Sequence, residues 1–430
     1  MKIKGFLPHT AGVKLAAGLA LFLTAALLRP DGARSLAAEQ IVTSAGETGL
    51  QTEAQQAEMQ QTETLQTEVQ QTEEADPWVE EHLHAMTIEE KVAQMFILTP
   101  EALTGVGQVT AAGDMTREAF ERWPVGGLVY FESNLVSETQ IRDMLSGVQA
   151  ISMQRTGLPL FTCVDEEGGQ VRRISGRGIL DVPYIDAAGV IGQGTPDNAF
   201  VTGTIMGTYL SDLGFNVDFA PVADVLSNPS NQVIGDRSFG SDPNTAANMV
   251  GAFTDGLRIG GVQATLKHFP GHGDTALDSH SGTAVSYKTA EQLRECEFLP
   301  FAEGIAHGAE FVMVGHISLP EVTGDNTPAT LSGQIITGML REELGFEGII
   351  VTDAMAMGAV ANYYSSGDAA VRSIQAGADM ILMPADFASA RQGVLDALAT
   401  GSLTEERIDA SVRRILNLKH SISGNEKKSS

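Results

Sequence analysis

The sequence predicts an α/β protein built as one (β/α)8 TIM-like barrel, and three observations predict it. Eight short apolar runs recur between residues 77 and 420, each too short for a buried helix. Segments of helical period separate them, and strands alternating with helices form parallel sheets through crossovers. Charged and polar residues stand at or near the C-terminal ends of five of the runs. That is the end where the loops of such a barrel build a site. A doubly wound open sheet uses the same alternation and is the runner-up fold.

Taken in order, Thr87-Ile88-Glu89-Glu90 fits a capping box and opens the first amphipathic stretch. The predicted strands are Gln94–Leu98, Gly127–Phe131, Leu160–Val164, Val217–Pro221, Ala264–His268, Phe311–Gly315, Ile349–Thr352 and Met380–Met383. Helical periodicity covers Glu138–Met153, Thr245–Ile259, Ala290–His307 and Gln334–Leu344. A closing helix over Thr404–Lys419 places Ile408, Val412, Ile415 and Leu416 on one face. A barrel of this kind needs roughly 250 residues, which leaves room here for long loops.

Before residue 77 the composition changes twice. Lys2, Lys4 and Lys14 precede the apolar run Leu15–Leu28, and Ser35-Leu36-Ala37 offers small residues at a cleavage spacing. Residues 1–37 therefore predict a secretory signal peptide. The apolar run is 14 residues long, short of the ~20 that a membrane span needs, so an uncleaved membrane anchor is the alternative. Residues 38–76 repeat Gln-Thr-Glu at 51–53, 61–63, 66–68 and 71–73 and carry nine acidic and no basic side chains. So little apolar surface does not offset the entropy of ordering, and the segment predicts a disordered acidic linker, with a helical coil as the rival. The barrel is expected over 77–420 and a C-terminal tail over 421–430. This organisation implies a secreted or cell-envelope protein.

Acidic side chains outnumber basic ones by 54 to 27, and the net charge of −27 repels phosphate backbones. Nucleic acid is therefore not expected as a partner. The two cysteines, Cys163 and Cys296, give neither a disulfide framework nor a cysteine zinc site, and read as separate buried thiols.

The polar residues at the strand ends are Asp165, Asp218, Lys267 with His268, His316 and Asp353. An Asp after a strand is often only a helix cap, but five such positions on one face exceed what capping explains. The densest segment is Lys267-His268-Phe269-Pro270-Gly271-His272-Gly273-Asp274-Thr275-Ala276-Leu277-Asp278-Ser279-His280. Pro270, Gly271 and Gly273 exclude a helix, so this is a loop. Three histidines and two aspartates raise the question of a metal. The usual zinc spacing needs a helix and Lys267 opposes a cation, so acid–base chemistry is favoured and no metal is expected. Asp278 is close enough in sequence to orient His280 and stabilise its charge, and an imidazole exchanges protons near neutral pH.

This loop resembles glycoside hydrolase family 3, and so do Val164-Asp165-Glu166-Glu167-Gly168-Gly169-Gln170-Val171-Arg172-Arg173, Ile234-Gly235-Asp236-Arg237-Ser238-Phe239 and Val351-Thr352-Asp353-Ala354-Met355. The resemblance runs from about Thr87 to about Lys419. The Lys-His-Phe-Pro-Gly-His-Gly…Asp-Ser-His string narrows it to the bacterial β-N-acetylglucosaminidases (β-hexosaminidases), and the short stretch after the closing helix leads us to expect the single-domain type. It implies a retaining exo-enzyme that removes terminal non-reducing β-linked N-acetylglucosamine (GlcNAc) from peptidoglycan fragments or chitooligosaccharides through a glycosyl-aspartate. By the same resemblance Asp353 is the nucleophile, His280 the acid/base and Asp278 its orienting partner. Asp165, Arg173, Arg237, Lys267 and His268 are carried over as contacts to the terminal sugar. A carbohydrate partner, a monomer and no cofactor are implied. Most retaining glycosidases use a second carboxyl group about 5–5.5 Å from the first; the subgroup uses a histidine instead.

Several positions stay open. Gln170 stands where an Arg is common in the subgroup, and Glu167, Glu132 and Asn134 lie near the mouth without an assigned role. Arg237 has the alternative of pairing with Asp236, and His316 that of a core histidine supporting the mouth. A neutral imidazole does not repel an anion, so a GlcNAc phosphorylase is one alternative activity. A β-glucosidase or β-xylosidase of the same family is another. The third is a surface sugar-binding protein without catalysis, against which the intact Asp353, Asp278 and His280 argue.

Overall fold

A computed structural model describes residues 76–275 and 284–429. The described residues all belong to one compact unit. The expected leader, the acidic linker up to residue 75 and the pair Asp278 and His280 lie outside the described residues.

The eight expected runs form eight parallel strands: β1 Phe96–Leu98, β2 Gly127–Tyr130, β3 Phe161–Val164, β4 Val217–Asp218, β5 Gln263–Phe269, β6 Phe311–Val314, β7 Ile349–Thr352 and β8 Ile381–Leu382. β1 to β7 pair in chain order, β8 pairs with β1, and an isolated parallel bridge between Val351 and Met380 joins the two ends of the sheet. A doubly wound sheet reverses its order at a switch point, and this one never does. Between β7 and β8, the Thr352 N–H donates to Met380 O at 3.1 Å and the Met380 N–H to Ile350 O at 3.0 Å. The sheet therefore curls back on itself into a barrel. Every residue of β1, β2, β3, β6 and β7 is buried. Strands covered on both faces are uniformly apolar, which is why they read as runs rather than alternations.

The helices follow local rules. Thr87 Oγ1 accepts the Glu90 N–H at 3.3 Å and Glu90 Oε2 accepts the Thr87 N–H at 3.1 Å, the expected capping box. In the closing helix, Glu405–Ser429, the stripe Ile408, Val412, Ile415 and Leu416 is fully buried. Gln334–Glu343 is wound as a π-helix.

Two expectations need correction. The predicted helix Ala290–His307 is two helices, Ala290–Glu295 and Phe298–Ala306, broken at Cys296. Pro300 explains the break, because its ring would clash with the Cys296 carbonyl four residues earlier. The fourth strand ends at Asp218 rather than Pro221. Pro221 has no N–H to donate, although Pro221 O still accepts from Lys267 and the Ala223 N–H donates to Lys267 O at 2.6 Å. A small parallel pair, Ala284–Val285 with Ile317–Ser318, lies outside the barrel sheet.

Candidate active site

The loop after β3 supplies the first part of the site. Asp165 accepts from Lys267 Nζ at 2.8 Å, and an Arg173 nitrogen lies 3.9 Å from its other oxygen. Glu167 binds Lys267 at 2.6 Å and holds Arg237 with two bonds of 2.7 and 2.8 Å. Lys267 thus bridges two carboxylates, and Glu167 bridges two cations. Burial would raise the Glu167 carboxyl and lower the Lys267 ammonium. The opposite charges outweigh it in both cases, so Glu167 is held well below the usual carboxylate range and Lys267 above its ordinary value. Three cations (Arg173, Arg237 and Lys267) face two carboxylates, which leaves donors available for sugar hydroxyls.

Glu166 shapes this loop from beneath. Fully buried, it accepts the N–H groups of Arg173, Ile174 at 3.0 Å and Ser175 at 2.8 Å, together with the Tyr209 hydroxyl at 2.8 Å. Its own N–H donates to Asp218 at 2.9 Å. Asp218 stands at its strand end as expected, but it acts as an acceptor for that turn. Burial, reinforced by Glu166 and Asp165, pushes its carboxyl well above the ordinary value. The Arg173 guanidinium lies 5.6 Å from the Phe131 ring, which fixes its plane.

The β5 end places the second part. The register of β5 against β6 shifts between Lys267 and Phe269. An irregularity of this kind re-aims side chains beside a site, and here both Lys267 and His268 serve the mouth. His268 Nδ1 donates to Asp224 at 2.7 Å, and Asp224 also accepts the backbone N–H groups of His268 at 3.2 Å and His272 at 2.6 Å. Burial alone would raise the Asp224 carboxyl, yet His268 and His272 hold it below its ordinary value. A His with a carboxylate on Nδ1 is fixed in ring orientation and tautomer. Burial lowers the His272 imidazole, and its Nδ1 meets Thr275 Oγ1 at 2.8 Å.

Asp353 follows β7 directly. Its Oδ1 accepts the Ala354 N–H at 2.7 Å, and the Asp353 N–H donates to Val314 O at 2.8 Å. Burial would raise this carboxyl. The charges of His268, His316 and Lys267 and the Ala354 N–H together hold it below its ordinary value. His316 is fully buried, meets Thr330 Oγ1 at 2.9 Å and donates from Nε2 to Ala354 O at 3.0 Å. It is the supporting core histidine, clamping the residue after Asp353. The structure therefore brings Asp165, Arg173, Arg237, Lys267, His268 and Asp353 to one mouth.

The open positions resolve unevenly. Arg237 pairs with Glu167 and not with Asp236, because Asp236 is engaged by Gln170 Nε2 at 3.1 Å. Glu132 pairs with Arg177 on the rim. Asn134 is buried and donates to Glu101 at 2.6 Å and Val109 O at 2.9 Å, a tether within the wall. Cys163 and Cys296 are free thiols, the first buried and the second half-buried. Among the described residues, no three His, Cys, Asp or Glu side chains are grouped to hold a metal ion.

Comparison with known proteins agrees with this geometry. Residues 87–418 match the glycosyl hydrolase family 3 N terminal domain. The chain is 35% identical over 327 residues to Beta-hexosaminidase A of Pseudoalteromonas piscicida, covering 70% of this chain and 54% of that protein. It is 33% identical over 274 residues to a Beta-hexosaminidase of Stenotrophomonas maltophilia, covering 62% of this chain and 78% of the relative. A glycoside hydrolase family 3 beta-N-acetylglucosaminidase from Paenibacillus sp. str. FPU-7 superposes with a TM-score of 0.74 at 36% identity, over 79% of this chain and 63% of that one. The chain thus spans about half of the Pseudoalteromonas protein and under two thirds of the Paenibacillus one. With the barrel, the strand-end carboxylate and the matched span together, the chain belongs to glycosyl hydrolase family 3.

Proposed function

We propose that the protein is a retaining exo-β-N-acetylglucosaminidase. The observation that carries this reading is the half-buried, ionised Asp353 at the end of β7, held below its ordinary value by the charges of His268, His316 and Lys267. Asp353 attacks the anomeric carbon, the glycosidic bond breaks, and His280 gives its proton to the leaving oxygen. Asp278 stabilises the imidazolium in that step. Water, deprotonated by the same His280, then releases the sugar from Asp353. Asp165, Glu167 and Asp224 keep Lys267, Arg237 and His268 aimed at the sugar while the charge moves. The relatives named for β-hexosaminidase and β-N-acetylglucosaminidase support GlcNAc as the sugar. The leader-like composition of residues 1–37 supports action in or beyond the cell envelope, with GlcNAc-bearing peptidoglycan fragments ahead of chitooligosaccharides as substrate.

The test is Asp353→Ala assayed on a nitrophenyl β-N-acetylglucosaminide. Removing a covalent nucleophile is expected to lower kcat by ~10⁴-fold or more. Activity at the wild-type level would sink the mechanism. A matching nitrophenyl glucoside, left untouched by the wild type, separates this reading from a β-glucosidase.

A further inference from the structure

We propose that Arg172 and Tyr184 form a subsite for a leaving group that carries a carboxylate, beside the pocket for the terminal sugar. The inference rests on the glycosidase reading given above and adds which aglycone the mouth selects. Residues 165–187 form one loop between β3 and the short helix Ala188–Ile191, and its two ends lie against each other. The Gly169 N–H donates to Ile185 O at 3.0 Å, and a Cβ on Gly168 or Gly169 would overlap residues 185–187. Those two glycines therefore let the returning segment rest directly on the turn that follows Asp165 and Glu167. Ser175 closes the neck, donating from Oγ to Pro183 O at 3.2 Å and accepting the Ile185 N–H at 2.7 Å. Tyr184 stands between the two residues that Ser175 holds, and is thereby fixed beside the motif that supplies Asp165, Glu167 and Arg173.

The Tyr184 ring is backed on one side and open on the other. The Arg172 guanidinium lies 4.8 Å from its centroid, and a Cβ on Gly176, at φ +68°, would come within 2.7 Å of the ring. Among the described residues, Arg172 makes its one hydrogen bond to Gly169 O, has no ion pair and keeps a buried Nε without a hydrogen bond. In a chain of net charge −27, a guanidinium without a carboxylate is a ready partner for an incoming one. The exposed aromatic surface has the same address. Among the described residues no Phe or Trp is exposed, whereas Tyr184, Tyr287 and Tyr363 are 53, 72 and 65% exposed, in the loops after β3, β5 and β7. A tyrosine offers an apolar face beside a wet hydroxyl, which suits the C–H face of a second sugar. The occupant is therefore a sugar with a carboxylate next to the scissile bond, as N-acetylmuramic acid (MurNAc) has on its lactyl ether. Its ring packs on Tyr184 and its carboxylate meets Arg172.

The test compares kcat/KM on the disaccharide GlcNAc-β-1,4-MurNAc, on its methyl ester and on neutral chitobiose. Esterification removes the charge and little else, and is expected to cost the wild type about 10-fold. Arg172→Gln should lose about 10-fold on the free acid and less than about threefold on the ester and on chitobiose, so that acid and ester become equal substrates. Arg172→Lys should recover part of the preference. Tyr184→Ala should lose about 3- to 10-fold on acid and ester alike, because it removes the platform and not the charge. Acid and ester cleaved alike by the wild type, or a preference that survives in Arg172→Gln, overturn the subsite. Arg172→Lys and the esterified substrate keep it open to failure if Arg172→Gln does not fold. A wild type inactive on a nitrophenyl β-N-acetylglucosaminide sinks the glycosidase reading, and the subsite with it; a wild type active there but blind to the carboxylate sinks the subsite alone.

Discussion

At the N-terminal end of the barrel, fully buried Asp379 accepts from Arg341 at 2.7 Å, Arg414 at 3.2 Å, Ser411 at 2.6 Å and the Ile350 N–H at 3.0 Å. At the mouth, Glu167 collects Lys267 and Arg237 in much the same way. The two clusters differ in what the remaining donors do. Arg341 also donates to the carbonyls of Phe346 and Gly348, and Arg407 beside it donates to those of Ile374 and Ala378. The lower cluster spends its cations on the main chain and staples β7, β8 and the closing helix together. At the mouth, among the described residues, Arg173 has one carboxylate within reach, Asp165 at 3.9 Å, and a buried Nε that makes no hydrogen bond. A buried charge cluster does not by itself mark a site, and neither does volume: a cleft of about 970 Å³ opens at the lower end, lined by Asn216, Gln263 and Glu310. The distinguishing property is donor capacity left over after the fold is satisfied.

Two substitutions can break this comparison. Asp379→Asn leaves the cations around a buried neutral amide, and breaking such a cluster costs about 3–5 kcal/mol of stability. Denaturant unfolding should show that loss, while kcat/KM measured well below the melting temperature stays within about twofold. Glu167→Gln should do the reverse. With Arg237 no longer held by charge and Lys267 left to Asp165 alone, kcat/KM is expected to fall about 100-fold, equivalent to about 2.7 kcal/mol of transition-state binding. If Asp379→Asn cost activity and Glu167→Gln did not, the division between a stapling end and a working end would fail.

The barrel was legible in the sequence because parallel strands buried on both faces leave unmistakable apolar runs. The strand-end rule singled out Asp353, Lys267 and His268 for the same reason: a polar residue closing such a run has few structural uses. Partners were harder to see. His268 and Asp224 are 44 residues apart and meet only because β4 and β5 are neighbours. A signal existed in Asp224 itself, an acid just beyond the apolar Phe219–Ala223, but nothing local connects it to a histidine. Glu166 and Glu167 are adjacent acids in one motif, and composition does not say which turns under the loop and which faces the cations. The break at Cys296 was available from Pro300, which forbids the continuous helix that periodicity suggested over Ala290–His307.

Lys419 sharpens the comparison at its lower end. It is fully buried, donates to Gln94 Oε1 at 2.7 Å and has its Nζ 5.0 Å from the Phe161 ring. Among the described residues no carboxylate pairs with it, in contrast to Lys267 at the mouth. Burial therefore dominates and pushes the ammonium down to about 7 from an ordinary 10.5, with the nearby Cys163 opposing only in part. Between those two values the unfolded chain binds a proton that the folded chain has released. Raising the pH through this window therefore stabilises the fold, by at most about 1.4 kcal/mol per pH unit. Below about 7 both states are protonated and the full penalty remains. Lys419→Met removes the titration, so the difference in unfolding free energy between variant and wild type should shrink steadily from pH 7 to pH 9. Lys267→Met would show no such trend over that range, because its pKa is raised and it stays charged in both states. A difference between Lys419→Met and wild type that stays flat across the window would mean that the lower end, like the mouth, balances its charge.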